Sequence, residues 1–187
     1  MTGPADTDRR LADRFTGGPD AITLRRAQRG DPAAVADVLR LLQDRLWRVC
    51  RSLSDDHASA EDAQQESALR IIAGLATFKG QSRLTTWASG IAVNVCREHR
   101  RKPRLAPHAF ADQVELVGQG EPVDADELAS LHAALAKLSE RQREAVVLRY
   151  LEGLSLKQSA ELMGCAEGTV KASVHAGLRN LREELEP

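Results

Sequence analysis

The chain has 187 residues, of which 42% are hydrophobic and 28% are charged, and its formal net charge is −1. This length allows one domain or two small ones, and the apolar fraction is sufficient for a core. No apolar run reaches the length of a membrane-spanning helix and no apolar signal segment opens the sequence, so we expect a cytoplasmic protein without membrane insertion. The apolar residues are mostly Ala, Leu and Val without the period-two pattern of strands, which predicts an all-α fold.

Side chains that carry catalytic or metal chemistry are scattered through the sequence. Cys50, Cys96 and Cys165 form neither a CxxC motif nor a His/Cys metal spacing, so we expect buried free thiols rather than redox-sensing ones. The five histidines have no consistent acidic partner, and no phosphate-binding glycine loop is present. These observations predict no metal, no cofactor and no enzymatic activity.

Two helices are predicted at the start of the ordered chain. The first spans residues 21–29, with Ile22 and Leu24 facing inward. The second spans about 32–53, because apolar residues recur there at helical spacing. Asp31 is its expected N-cap, and the proline that follows suits the first helical position.

A third, acidic helix is predicted to open at Ser59-Ala60-Glu61-Asp62, which resembles a capping box. Residues 55–66 contain five acids and no Lys or Arg. Asp62 and Glu66 lie four residues apart on one side, with Gln65 beside them. Acids near a helix N-terminus also stabilise its positive end, so capping alone explains them equally well. The apolar residues expected to face inward are Ala68, Ile71, Ile72 and Leu75.

The most basic stretch lies between positions 79 and 104, where seven Lys and Arg residues accompany a single acid. A polar loop at 79–83 precedes a helix that Thr85 or Thr86 can cap. Cations release counterions from nucleic acid, and the aromatic Phe78 beside the loop can stack on a base. The stretch therefore fits a nucleic-acid surface, although a solvated basic helix fits it as well. The apolar stripe of this helix consists of Trp87, Ala88, Ile91, Ala92, Val95 and Cys96.

Two segments are predicted to lack regular structure. Residues 1–20 are polar and predict a disordered N-terminal tail. Residues 103–125 contain three prolines and two glycines without a helical stripe, which predicts a flexible, acidic linker. The fold is therefore expected to comprise two small helical domains, at 21–102 and 126–187.

The second domain is predicted to end in a helix-turn-helix. A helix at about 126–137 and another from a capping box at Ser139 to Gly153 precede it. A short helix at 155–163, a left-handed turn at Gly164 and a last helix from about residue 167 complete the motif, which is typical of DNA-binding proteins. A purely structural hairpin is the alternative. The last helix is expected to face inward with Val170, Val174, Leu178 and Leu181, and outward with Glu167, Thr169, Lys171, Ser173 and His175.

Three passages in this order resemble the sigma factors of bacterial RNA polymerase, most closely the two-domain extracytoplasmic-function class. They are the acidic Ala60–Glu66; Phe78-Lys79-Gly80 with Thr86-Trp87 and Ile91–Asn94; and Glu152–Ser155 with Gly168–Lys171. The resemblance implies a promoter-specificity subunit that binds core polymerase and promoter DNA, helps to open the −10 element and performs no chemistry.

The resemblance also implies roles for single residues. Asp62, Gln65 and Glu66 match the face that docks on a coiled coil of the largest polymerase subunit. The residues that match the −10 surface, where a flipped base is captured, are Phe78, Lys79, Ser82, Arg83 and Asn94, with Arg97, Arg100, Arg101 and Lys102 at phosphates. The outward residues of the last helix would read the −35 element.

One departure from the family pattern concerns the recognition helix. Relatives often carry arginine where this chain has Ser173 and Ala176. Fewer cations make fewer phosphate contacts, so we expect weak or unusual −35 recognition, which arginine at these two positions would strengthen.

The resemblance implies further partners, and two alternative functions stay open. The linker matches a segment that passes near the polymerase active centre and RNA exit path, although a solvated tether fits it too. An anti-sigma factor is an expected partner, and the free protein is expected to be monomeric. The alternatives are a stand-alone helix-turn-helix regulator, which would normally be a dimer, and a degenerate sigma relative that binds partners without initiating transcription.

Overall fold

A computed structural model describes residues 19–101 and 125–186. The regular elements in these ranges are all helical, so the predicted all-α class is confirmed. The first range holds α1 (Ala21–Gln28), α2 (Pro32–Leu53), α3 (His57–Leu75) and α4 (Leu84–Arg101). The second holds α5 (Ala125–Lys137), α6 (Glu140–Val146), α7 (Leu156–Met163) and α8 (Glu167–Leu185), and a π-helical segment (Val147–Leu151) continues α6. Lys102 and nearly all of the predicted tail and linker lie outside the described residues.

The N-terminal domain consists of α2, α3 and α4 packed on one another, with α1 against α2. Asp31 caps α2 as predicted, because its Oδ1 accepts the N–H groups of Ala33 and Ala34 at 3.0 and 3.1 Å. The core of this domain is formed by buried aliphatic side chains of all four helices. Its largest members include Val38, Leu42, Leu53, Ile71, Leu75, Leu84 and Val95.

Two helix starts differ from their predicted positions. Helix α3 begins at His57, because Asp56 is the N-cap and its carboxylate accepts the N–H of Ser59 at 2.7 Å. Ser59, the predicted cap, therefore lies in the first turn of the helix. Helix α4 begins at Leu84, which buries its side chain, so Thr85 and Thr86 lie inside the first turn instead of capping it.

Three side chains predicted to face inward are exposed. Ile22 is 73% exposed because it lies two residues, or about 200°, from the buried Leu24 on the helix surface. Ile72 is also exposed, since its neighbour Ile71 takes the buried face of α3. Leu178 is exposed because Gly177 makes the close approach to α6; a Cβ there would lie 2.8 Å from Cγ2 of Val146. Of the other predicted inward positions on α8, Val170 and Leu181 are buried and Val174 is half-buried.

The main core continues from the first domain into the second. Val147, Leu148 and Leu154 are buried in the same cluster as the core of α2 and α4. The two predicted domains therefore share part of one core in this structure, because the segment after α6 packs on α2. Two smaller clusters hold α5 to α8 together. They are Ala134, Leu135, Leu138, Val146 and Leu181, and Ala145, Ala160 and Val170.

The three cysteines are free thiols. Cys50 and Cys96 are buried free thiols, as predicted, and Cys165 is half-buried. Within 19–101 and 125–186, no helix is both long enough and apolar enough to cross a membrane.

Candidate nucleic-acid interface

The loop between α3 and α4 presents polar and cationic side chains to solvent. Lys79, Ser82 and Arg83 are all exposed. Gly80 adopts a left-handed conformation with φ of 64°, a backbone position that favours glycine and lets the chain turn sharply between the two helices. The sequence-predicted cations of this loop therefore lie together on one exposed edge of the N-terminal domain.

Phe78 lies beneath this loop rather than on its surface. Its side chain is 9% exposed and packs against Trp87, with ring centroids 4.9 Å apart. The carbonyl oxygen of Phe78 accepts a hydrogen bond from Nε2 of Gln28 at 2.8 Å. The ring is therefore largely buried in this structure and supports the loop from below, and its stacking on a base stays a prediction. Trp87 is half-buried and packs on Gly74, consistent with the predicted core role.

The polar side chains of α4 differ in their exposure and in their partners. Asn94 and Arg101 are exposed, as expected of a DNA-binding face, and Oδ1 of Asn94 accepts a hydrogen bond from Nη1 of Arg97 at 3.1 Å. Arg97 instead donates from Nε and Nη2 to the two carboxylate oxygens of Glu144 on α6, at 2.7 and 2.8 Å. These hydrogen bonds raise the pKa of Arg97 above its ordinary value. Arg100 donates to the same carboxylate at 3.0 Å.

The acidic face of α3 is solvent-facing. Asp62 and Gln65 are exposed, and Glu66 is half-buried because Arg70 donates to it at 2.8 Å. Arg70 also donates to both carboxylate oxygens of Glu98 on α4, at 2.9 and 2.6 Å, so an ion-pair chain joins the two predicted binding faces.

An apolar edge beside this acidic face was missed by the sequence reasoning. Leu69 is 63% exposed and Ile72 is 41% exposed on the same helix. The sequence contained a signal for Leu69, because this leucine lies off the apolar stripe of α3 and so falls on the solvent side of the helix. Exposed large apolar side chains that cluster beside charged ones are typical of protein-binding surfaces.

The helix-turn-helix forms as its local sequence predicts. The hydroxyl of Ser155 accepts the N–H of Gln158 at 3.1 Å, and the amide oxygen of Gln158 accepts the N–H of Ser155 at 2.9 Å. Helix α7 ends at Gly164, which has φ of 60° and ψ of 41°. Helix α8 then starts at Glu167, with no side-chain cap from Ala166.

The five outward residues predicted on α8 do not all share one face. Glu167, Lys171 and His175 recur every four residues and are exposed. Thr169 and Ser173 are half-buried and lie about 160° around the helix from that row, on its other flank. Ala176, where relatives were expected to carry arginine, is also half-buried.

Comparison with known proteins agrees with this organisation. Residues 38–105 match the family profile of Sigma-70 region 2, and residues 128–181 match that of Sigma-70, region 4. The ECF RNA polymerase sigma factor SigC of Mycobacterium tuberculosis is 31% identical over 165 residues, which span 86% of this chain and 88% of that protein. SigW of Bacillus subtilis, also an ECF sigma factor, is 27% identical over 176 residues, spanning 87% of this chain and 94% of that protein.

A solved structure extends the similarity to the fold. The sigma factor RpoE of Bartonella quintana, in complex with the anti-sigma factor NepR, has a TM-score of 0.65 and 30% identity to this chain. The match covers 81% of this chain and 96% of that one. An acidic helix, a basic loop and helix, and a helix-turn-helix in this order are the organisation of a two-domain sigma factor. The chain belongs to the extracytoplasmic-function sigma factors, the subunits that direct core RNA polymerase to promoters.

Proposed function

We propose that promoter recognition by this sigma factor uses three separate surfaces, one that binds the polymerase core and two that bind promoter DNA. The acidic face of α3 binds the polymerase core, the loop at 78–83 with α4 binds the −10 element, and α8 reads the −35 element. The domains that carry these surfaces are residues 21–102 and 126–187, with 103–125 as the tether. The exposed cations of the loop beside α4 are the single observation that carries the DNA-binding part of the proposal.

The polymerase surface centres on Asp62 and Gln65, which are exposed side by side on α3, with Glu66 at its edge. Leu69 and Ile72 add an apolar area next to these acids. A charged rim steers association, and the apolar area contributes affinity on burial. Both features support a protein partner at this face.

The −10 surface uses Lys79, Ser82 and Arg83 from the loop and Asn94 and Arg101 from α4, all of which are exposed. The cations contact phosphates of the unwound strand, and the Asn94 amide reads a base edge through its NH₂ donors, since its Oδ1 accepts from Arg97. Phe78 contributes by packing under the loop.

The −35 surface uses Glu167, Lys171 and His175, and Thr169 and Ser173 would contact DNA from the other flank of the helix. A single lysine on this face supports few phosphate contacts, so base-edge contacts carry a larger share of the recognition. An anti-sigma factor is a further proposed partner, because the related RpoE structure contains one.

Transcription reconstituted from core polymerase and fragmented DNA of the protein's own host tests this function. We expect discrete new 5′ ends that share upstream elements. Asp62→Lys should abolish them by preventing core binding, while Glu61→Lys reverses the same charge one residue away and should retain them. Arg83→Gln and Lys171→Gln should weaken promoter binding without changing core binding. Core binding by the native protein without new start sites would contradict the proposal and favour a degenerate relative.

A further inference from the structure

We propose that the free protein adopts a closed state in which Glu144 occupies the place of DNA phosphates on Arg97 and Arg100. The −10 strand and the helix-turn-helix domain then compete for the same two arginines, and the domains must separate before α4 is fully available to DNA. This inference rests on the −10 surface proposed above and extends that surface to Arg97 and Arg100, which the family resemblance places at phosphates.

The central contact is a carboxylate between two guanidinium groups. The Glu144 side chain is 7% exposed, and it accepts hydrogen bonds from Arg97 at 2.7 and 2.8 Å and from Arg100 at 3.0 Å. A carboxylate resembles a phosphate in charge and in offering two oxygens to a guanidinium fork. Arg100 is further held by Glu140, whose Oε1 lies 3.3 Å from its Nε, and by the carbonyl of Leu53 at 2.9 Å.

Helix α7 of the helix-turn-helix covers the same part of α4. A Cβ placed on Gly90 would lie 2.8 Å from Cδ2 of Leu162, so the side chain of Leu162 fills the space above this glycine. The carbonyl oxygen of Leu162 accepts a further hydrogen bond from Nη1 of Arg97 at 3.1 Å. DNA bound along this part of α4 would therefore meet α7.

A second buried carboxylate fastens the two domains nearby. Glu152, at the end of the π-helical segment, is fully buried, and it contacts Arg45 of α2 at 3.2 Å and accepts a hydrogen bond from the hydroxyl of Ser89 on α4. Among the described residues its Oε1 has no hydrogen-bond partner, and Nε of Arg100 pairs with Glu140 only by charge, without the geometry of a hydrogen bond.

These contacts hold the two domains together weakly enough for the domains to separate. Ion pairs in a buried interface lose much of their Coulomb energy to desolvation, and unsatisfied polar atoms subtract more. A partner that supplies phosphates to Arg97 and Arg100 can therefore replace Glu144 at small net cost. Val147, Leu148 and Leu154 bury apolar surface in the closed state, which keeps it the main form until polymerase or DNA binds.

Binding of the full chain to a short fluorescent oligothymidine, measured at several KCl concentrations, tests the competition. We expect Glu144→Gln to bind about fivefold more tightly or better. Its plot of log affinity against log salt should steepen by about 1.4, because each of the two released arginines adds about 0.7 on single strands. Glu161→Gln removes the same charge from an exposed position on α7 and should bind like the native chain. Adding Arg97→Gln to Glu144→Gln should remove about half of the added slope.

A variant without any charge change provides the second measurement. Gly90→Leu inserts a side chain where even a Cβ touches Leu162, so it should increase the radius of gyration in solution scattering and the oligothymidine affinity together. Native affinity and salt slope in both Glu144→Gln and Gly90→Leu, in a protein that still starts transcription, would overturn the closed-state proposal alone. Failure of the native protein to start transcription on any host DNA would instead overturn the proposed function.

Discussion

Arg143 of α6 donates its Nε–H to the carbonyl oxygen of Ser52 at 2.6 Å, although the two residues lie 91 positions apart. Its guanidinium also donates to the carbonyl of Ser54 and to Asp55 at 2.9 Å. The last carbonyls of a helix have no partner within it, so Arg143 serves as a C-terminal cap of α2 supplied by the other domain. Burial lowers the pKa of Arg143, and the ion pair with Asp55 opposes that shift.

Removal of this cap should destabilise the whole chain. The Arg143 side chain is 4% exposed, so Arg143→Ala leaves buried carbonyls without donors and opens a cavity between the domains. We expect the free energy of unfolding in urea to fall by about 3 kcal/mol. Arg141→Ala removes an exposed arginine from the same helix and should change the free energy of unfolding by less than about 0.5 kcal/mol. Equal effects of the two substitutions would show that Arg143 acts only through net charge.

The features that the sequence predicted well depend on residues a few positions apart. Asp31 before a proline and Ser155 three residues before Gln158 specify helix starts through local hydrogen bonds. Gly164 specifies a left-handed helix end for the same reason. Helical periodicity likewise located most of the core of α2, because only the spacing within one helix is needed.

The features that the sequence did not reveal depend on distant partners. Arg143, Glu144 and Glu152 look like ordinary polar residues of a solvated helix, and their burial becomes evident only once α6 lies against α2 and α4. The position of Phe78 under its loop depends in the same way on Trp87 and on the Gln28 side chain from α1. Such contacts leave no periodic signal in one sequence.

Phe78 should matter for stability more than for stacking. Phe78→Ala removes a buried ring from Trp87, and we expect the free energy of unfolding to fall by about 3–4 kcal/mol. Phe78→Leu keeps most of the buried volume and should recover all but about 1–1.5 kcal/mol. Oligothymidine binding by the leucine variant should stay near native. A tenfold loss of binding in a stable Phe78→Leu protein would instead support the stacking role.

A new arginine on α8 should have its greatest effect at residue 172. Ala172 is exposed next to Lys171, whereas Ser173 and Ala176 are half-buried. We expect Ala172→Arg to tighten binding to duplex promoter DNA and to steepen its salt dependence by about 0.9 in log–log slope, the value for one phosphate contact. Ser173→Arg should give a smaller change, because part of its side chain must leave the helix interface.

Ala129→Arg places the same charge on an exposed position of α5 and serves as the control for this experiment. Its salt dependence should remain close to native. An equal gain from arginine at residues 129 and 172 would mean that net charge, rather than the face of α8, governs duplex binding.

Two glycines of the helix-turn-helix should respond to alanine in opposite directions. Gly164 has φ of 60° and open space around its Cα, so a methyl group there meets no other described residue but forces an L-residue into the left-handed region. Gly164→Ala should therefore lower the free energy of unfolding by about 1–2 kcal/mol. Gly168 lies in the first turn of α8 with similar open space and no positive φ. Gly168→Ala should therefore raise the free energy of unfolding by up to about 1 kcal/mol. Thermal unfolding of both variants measures the difference directly. Neither methyl group contacts another described residue, so each substitution tests the backbone conformation alone. A stabilising Gly164→Ala would therefore mean that α7 does not end in a left-handed turn. The angle between α7 and α8 would then have to change.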